Sequence, residues 1–140
     1  MTPRREQRTE PGGRAEAVIR LAQARKFREV ADLVRGAEAD IPSSASVAAS
    51  LAVLAGIAAS DAACFAALGR RSRSQNHRDA STLLSQIEPD GKKAAQAFAR
   101  LIDLKDTAHY GIITVGPEKL RVAIRDADTL VTFAEQTLSR

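Results

Sequence analysis

The chain has 140 residues, a formal net charge of +4, and a composition that is 44% hydrophobic but only 4% aromatic. That length suits one domain with its own core. The single cysteine excludes an internal disulfide, and two histidines beside one cysteine are too few for an ordinary zinc site. No Cys-x-x-Cys, His-Glu-x-x-His, phosphate-binding glycine loop or dinucleotide fingerprint occurs, so neither a metal nor a cofactor is expected.

Alanine supplies most of the apolar content, which favours helix and close helix approach. An alanine core gains less per residue than a leucine core, so a homodimer interface is expected to add stability. The opening MTPRREQRTEPGGR holds no secretory signal, and Cys64 sits in an apolar run as a small buried hydrophobe. Both point to a cytoplasmic protein.

Residues 1–13 are charged, carry Pro3, Pro11, Gly12 and Gly13, and read as a disordered basic tail. Residues 14–140 read as one helical-bundle domain. A first helix spans about Arg14 to Ala37, with Ile19, Phe27, Val30, Leu33 and Val34 at helical spacing. Pro42 disfavours helix in Ile41, so a second helix is expected to start with Ser43 or Ser44 as N-cap and to stop at Gly69. This stretch could span a bilayer by length. Its alanines and serines and the interrupting Asp61 favour a buried central helix instead, with no membrane association. Val47, Leu51, Leu54, Asp61, Phe65 and Leu68 are expected on one inward face.

The segment GRRSRSQN reads as a basic loop leading to a short helix over about His77–Ile87. Pro89, Asp90 and Gly91 form a turn, with Asp90 as N-cap of a fourth helix over Gly91–Tyr110. Phe98, Leu101, Ile102, Lys105 and His109 share one face of that helix. Pro117 and Glu118 suit the first turn of a fifth helix. Its stripe of Leu120, Ile124, Ala127, Val131, Ala134 and Leu138 marks a bundle helix. The fold class is therefore all-α, an up-and-down bundle of about five helices. No strand alternation, repeat or second domain is visible.

Three polar features stand out. Asp61 on an apolar stripe needs a partner, either a structural ion pair or a histidine or lysine that it orients. Lys105 and His109 lie one turn apart on an inward face, where the lysine would keep the imidazole neutral. The alternative there is a snorkelling lysine and a histidine capping the helix end. In GRRSRSQNHRDA, Arg70, Arg71, Arg73 and Arg78 surround His77, a set suited to a phosphodiester or simply to solvent.

Together these segments resemble the HEPN superfamily of small helical proteins that act on or bind RNA. The likeness covers roughly residues 44–138. It rests on the Ala-rich helix, QNHRDASTLL, LKDTAHYG, and the Gly-Pro turn before PEKLRVAIRDADTLVTFAEQTL. Active members carry an arginine, four to six intervening residues and then a histidine, and two copies meet across a homodimer to cleave RNA without metal. Here Arg71 and His77 have that spacing, in a middle loop. At the later position stand Lys105 and His109, with lysine in place of arginine and three residues between them.

The resemblance implies His109, Lys105, Tyr110 and His77 as catalytic candidates. It also implies Arg70, Arg71, Arg73 and Arg78 as RNA contacts, and Asp61 and Asp106 as carboxylates orienting them. Three functions stay open: an HEPN-like module binding RNA or nucleotide, a metal-independent ribonuclease acting as toxin or defence effector, and a structural helical partner. A cognate protein, either an antitoxin or a nucleotidyltransferase, is a further expected partner.

Overall fold

The computed structural model describes residues 8–37, 41–73, 77–110 and 115–140, and within these not the side chains of 37 and 106–110. Five helices dominate: α1 (Arg14–Ala37), α2 (Pro42–Leu68), α3 (His77–Ser85), α4 (Gly91–Tyr110) and α5 (Pro117–Leu138). Two short strands, β1 (Thr9–Pro11) and β2 (Arg70–Ser72), complete the fold. The protein is a helical bundle, as composition and periodicity predict.

Helix α2 is the hub. It packs along α1 and also against α5 and α4. By length and hydropathy it could cross a membrane, yet 61% of its most apolar window is buried inside the protein. Its buried face carries Ala48, Ala49, Ala52, Val53, Ala55, Ala58, Ala59, Ala62 and Ala63. The expected larger stripe is therefore corrected. Val47 is half exposed, Leu51, Leu54 and Leu68 are only partly covered, and only Phe65 of that set is fully buried. The same exchange occurs on α1, where Ala17, Leu21, Ala24 and Ala31 are buried while Ile19 and Leu33 face out. Alanine wins these contacts because side chains ending at Cβ let two helix backbones approach closely.

Chain punctuation explains the helix ends. Helix α1 opens with Glu16 accepting the Gly13 backbone N–H at 2.7 Å, which holds the Glu16 carboxyl below its usual range. Helix α2 begins at Pro42, with extended Ile41 in the N-cap position and no side-chain cap, so neither Ser43 nor Ser44 caps it. Proline at the first position has no N–H to satisfy and pre-sets φ, which makes a serine cap unnecessary. Gly69 ends α2 in the left-handed region at φ 71°, its N–H bonded to the Phe65 carbonyl. The third helix stops at Ser85, two residues short of the expected end.

The expected disordered tail is corrected from Arg8 onward. β1 pairs antiparallel with β2, with Glu10 opposite Arg71. Gly12 N–H donates to the Gly69 carbonyl, and Arg73 N–H to the Arg8 carbonyl. The basic stretch after Gly69 is thus partly a strand.

Helix α5 closes the bundle with its whole predicted stripe buried. Polar clamps secure it. Arg28 of α1 grips Asp128 through two N–H groups at 2.6 and 3.1 Å, and Arg14 donates to the Leu138 carbonyl at 2.8 Å. Arg100 of α4 forks onto the buried Asp126 at 2.9 and 3.0 Å. Such two-pronged guanidinium contacts add geometric specificity to the helix packing.

Among the described glycines, Gly91 at the start of α4 has the closest backbone neighbour. A Cβ on Gly91 would stand 2.3 Å from the Leu84 carbonyl oxygen, a contact no side-chain rotation relieves. Gly91→Ala is expected to cost about 1–3 kcal/mol in chemical denaturation. The comparison is Gly36→Ala, whose Cβ meets nothing within 4 Å and which should be neutral or slightly stabilising.

Candidate functional site

The strand pair brings separated polar residues to one place. β2 turns Arg71 back toward α2, where its guanidinium meets two carboxylates. Its Nε and Nη2 donate to Glu10 Oε2 at 3.1 and 2.9 Å, and its Nη1 donates to Asp61 Oδ2 at 3.1 Å. The group also lies 5.4 Å from the Phe65 ring centre, a cation–π distance. Arg20 of α1 reaches the same Asp61 oxygen through Nε at 3.1 Å and Nη2 at 2.9 Å. The Asp61 carboxylate thus ties α1, α2 and β2 together. Of the two readings of Asp61 from sequence, the ion pair is the one observed.

The two ends of this network respond differently to burial. Burial pushes the Asp61 carboxyl above its usual range, and the charges and hydrogen bonds of Arg20 and Arg71 offset only part of this. At Arg71 burial works against the charge, but Glu10 and Asp61 outweigh it and hold the guanidinium proton more tightly than usual. The difference follows from depth, because Asp61 is 15% exposed and Arg71 is 30% exposed.

Above this network lies a cleft of about 390 Å³, lined among others by Ser60, Asp61, Arg71, Arg73, His77 and Phe98. His77 opens α3 and lies with its ring centre 6.2 Å from that of Phe98, tilted at 60°. Lys105 of α4 approaches His77, with Nζ 3.3 Å from Nε2. A lysine ammonium only donates, so a hydrogen bond here needs His77 in the tautomer whose Nε2 accepts.

Of the residues singled out from sequence, Asp61, Arg71, Arg73 and His77 meet at this cleft, and Lys105 joins through His77. Lys105 was expected beside His109. The side chains of Asp106, His109 and Tyr110 lie outside the described residues. Arg70 and Arg78 do not line the cleft. Alternation along β2 puts Arg70 on the other side of the strand from Arg71. Two residues of the network, Glu10 and Arg20, escape sequence reasoning. Glu10 sits in a three-residue strand too short for periodicity, and Arg20 looks like any solvated helix arginine. Among the described residues no three His, Cys, Asp or Glu side chains converge as a metal site needs.

No family model matches this sequence, and no curated protein resembles it significantly.

Cys64, next to this region on α2, is buried. Burial first, and the Asp61 charge second, push its thiol up to about 12. The thiolate is therefore scarce at pH 8, and labelling by a thiol reagent is expected to be slow in native protein and fast in denaturant. Rapid native labelling would contradict this burial. For the ion network, Asp61→Ala leaves Arg20 and Arg71 facing each other without their shared carboxylate. Partial exposure tempers the penalty to about 2–4 kcal/mol. Denaturant unfolding should show it, and Asp61→Ala/Arg20→Met should recover part of the loss.

Proposed function

We propose that this protein is an HEPN-like helical module that binds RNA or a nucleotide at the Asp61–Arg71–His77 cleft, with no catalysis or weak catalysis. The observation that supports this reading is the convergence of Arg71, Arg73 and His77 on one concavity, with Lys105 brought against His77 from a distant stretch of chain. Arginine, lysine and histidine donors around a cleft are the groups that meet phosphate oxygens. Phe98 in the cleft wall adds an aromatic surface.

The same geometry argues for binding over cleavage. Three of the five Arg71 N–H groups are taken by Glu10 and Asp61, and both carboxylates already answer its charge. Lys105 stands 3.3 Å from Nε2 of His77 and crowds that nitrogen. Arg73 is exposed and remains the better phosphate contact. The proposal includes a cytoplasmic location and a homodimer, in keeping with the resemblance to HEPN proteins.

Filter retention of labelled RNA tests the reading. Retention is expected to fall steeply between about 50 and 200 mM salt, as phosphate contacts release counterions. Arg73→Ala should weaken binding across sequences and lower the salt slope by about one. Retention indifferent to salt and to Arg73→Ala would overturn it. RNA cleavage that persists in EDTA and disappears in His77→Ala would replace binding with the ribonuclease reading.

A further inference from the structure

A second concavity, of about 530 Å³, lies away from the site above, where the end of α1 and the start of α4 meet the outer face of α5. None of the residues lining it was among the candidate site residues read from the sequence. Four basic side chains reach it: Arg35 from α1, Lys93 from α4, and Arg121 and Arg125 from α5. They face two carboxylates, Asp90 and Asp128. Asp128 is already gripped by Arg28 through two hydrogen bonds, and Arg121 is paired with Glu118. What remains is Arg35, Lys93 and Arg125 against Asp90 alone.

Many arginines elsewhere are already engaged. Arg14, Arg20, Arg25, Arg28, Arg71 and Arg100 each donate to a carbonyl or carboxylate. Among the described residues neither Arg35 nor Lys93 has a hydrogen bond or ion pair, and Arg125 reaches only Asp126 at 3.8 Å. Cations from three helices gathered around one concavity repel one another unless an anion intervenes.

Helix α5 also presents neutral donors along the same face. Thr132 and Gln136 follow Arg125 at helical spacing and line the cleft, while the hydroxyl of Thr129 between them is taken by the Arg125 carbonyl. Thr132 and Gln136 are exposed, so their hydroxyl and amide are open to a ligand. The floor is apolar, formed by Ala94, Ile124 and Phe133. A concave site of this size, with an apolar floor and a few converging donors, has the make-up of a small-ligand pocket.

We propose that this cleft binds a small phosphate-bearing ligand, with Lys93 and Arg35 supplying charge, and Arg125, Thr132 and Gln136 supplying directional donors. Phosphate fits better than a lone carboxylate, because its several oxygens can accept from donors on three helices at once and its charge answers more than one cation. The proposal does not rest on the RNA reading, because the two clefts share no residue.

Titration calorimetry of the full chain with pyrophosphate, inorganic phosphate and AMP tests it. Saturable binding of at least one probe is expected, weakened about tenfold or more by Lys93→Ala and by Arg35→Ala and unchanged by Arg73→Ala. AMP binding tighter than both inorganic anions identifies a nucleotide as the source of the phosphate, whereas tighter pyrophosphate binding identifies the free anion. Circular dichroism confirms that these surface variants fold. No saturable binding of any probe, or binding indifferent to Lys93→Ala and Arg35→Ala, overturns the proposal. So does a result in which Lys93→Ala abolishes RNA retention while no small phosphate binds, since the cleft would then serve a polyanion.

Discussion

Helix α2 meets its neighbours with a face that ends mostly at Cβ, and the rest of the bundle is arranged around that constraint. Alanines at 48, 49, 52, 55, 58, 59, 62 and 63 are all buried. Each removes little apolar surface from water, so the stabilisation comes from many close contacts, not from a few large side chains. On the side facing α1 the partner also turns alanines inward, at 17, 24 and 31, and leaves Ile19 and Leu33 outside. Larger residues fill the far side of the core, where Phe98, Leu83, Leu84, Leu101 and Leu130 are fully buried.

An alanine interface is smooth, and smooth interfaces define register weakly. The polar links supply what the alanines lack. Asp61 anchors α2 to both α1 and β2, Asp126 takes the Arg100 fork from α4, and Asp128 takes Arg28 from α1. Each link joins helices that small side chains alone would let slide. The charged residues of this protein therefore serve the fold as much as any ligand. A high arginine content is only indirect evidence of nucleic-acid binding here, since many of the arginines are occupied by carboxylates.

That distinction separates the two clefts. In the first, Arg71 is the centre of an ion network and three of its N–H groups are held by Glu10 and Asp61, with Arg73, His77 and Lys105 at the periphery. In the second, the fixed network stops short of Arg35 and Lys93, and the donors along α5 stay open. One concavity is built around internal pairing, while the other retains an excess of charge. An anion would be met differently in each: at the edge of a preformed salt-bridge cluster in the first, and by converging cations and hydroxyls in the second.

The helices themselves were legible in the chain. Alanine content, the glycines at 69 and 91 and the prolines at 42 and 117 mark where helices start and stop. They act through backbone geometry within a few residues, which any reader of the sequence can apply. The leucine and isoleucine stripe of α5 was legible for the same reason, because its burial follows directly from helical period. Which residues of α1 and α2 face inward was not. Two helices that approach at alanine distance bury their smallest residues, and the choice depends on a partner helix that local periodicity does not contain. The site was half legible. Asp61 declared its need for a counter-charge, and Arg71 and His77 carried a recognisable spacing. Only the tertiary structure could bring Glu10 from the N-terminal strand and Arg20 from α1 to that carboxylate, or seat Lys105 against His77. It alone could gather the cations of three helices at the larger cleft. Hydrogen bonds and ion pairs between distant segments are settled by how the chain packs, and no property of the individual residues encodes their partners.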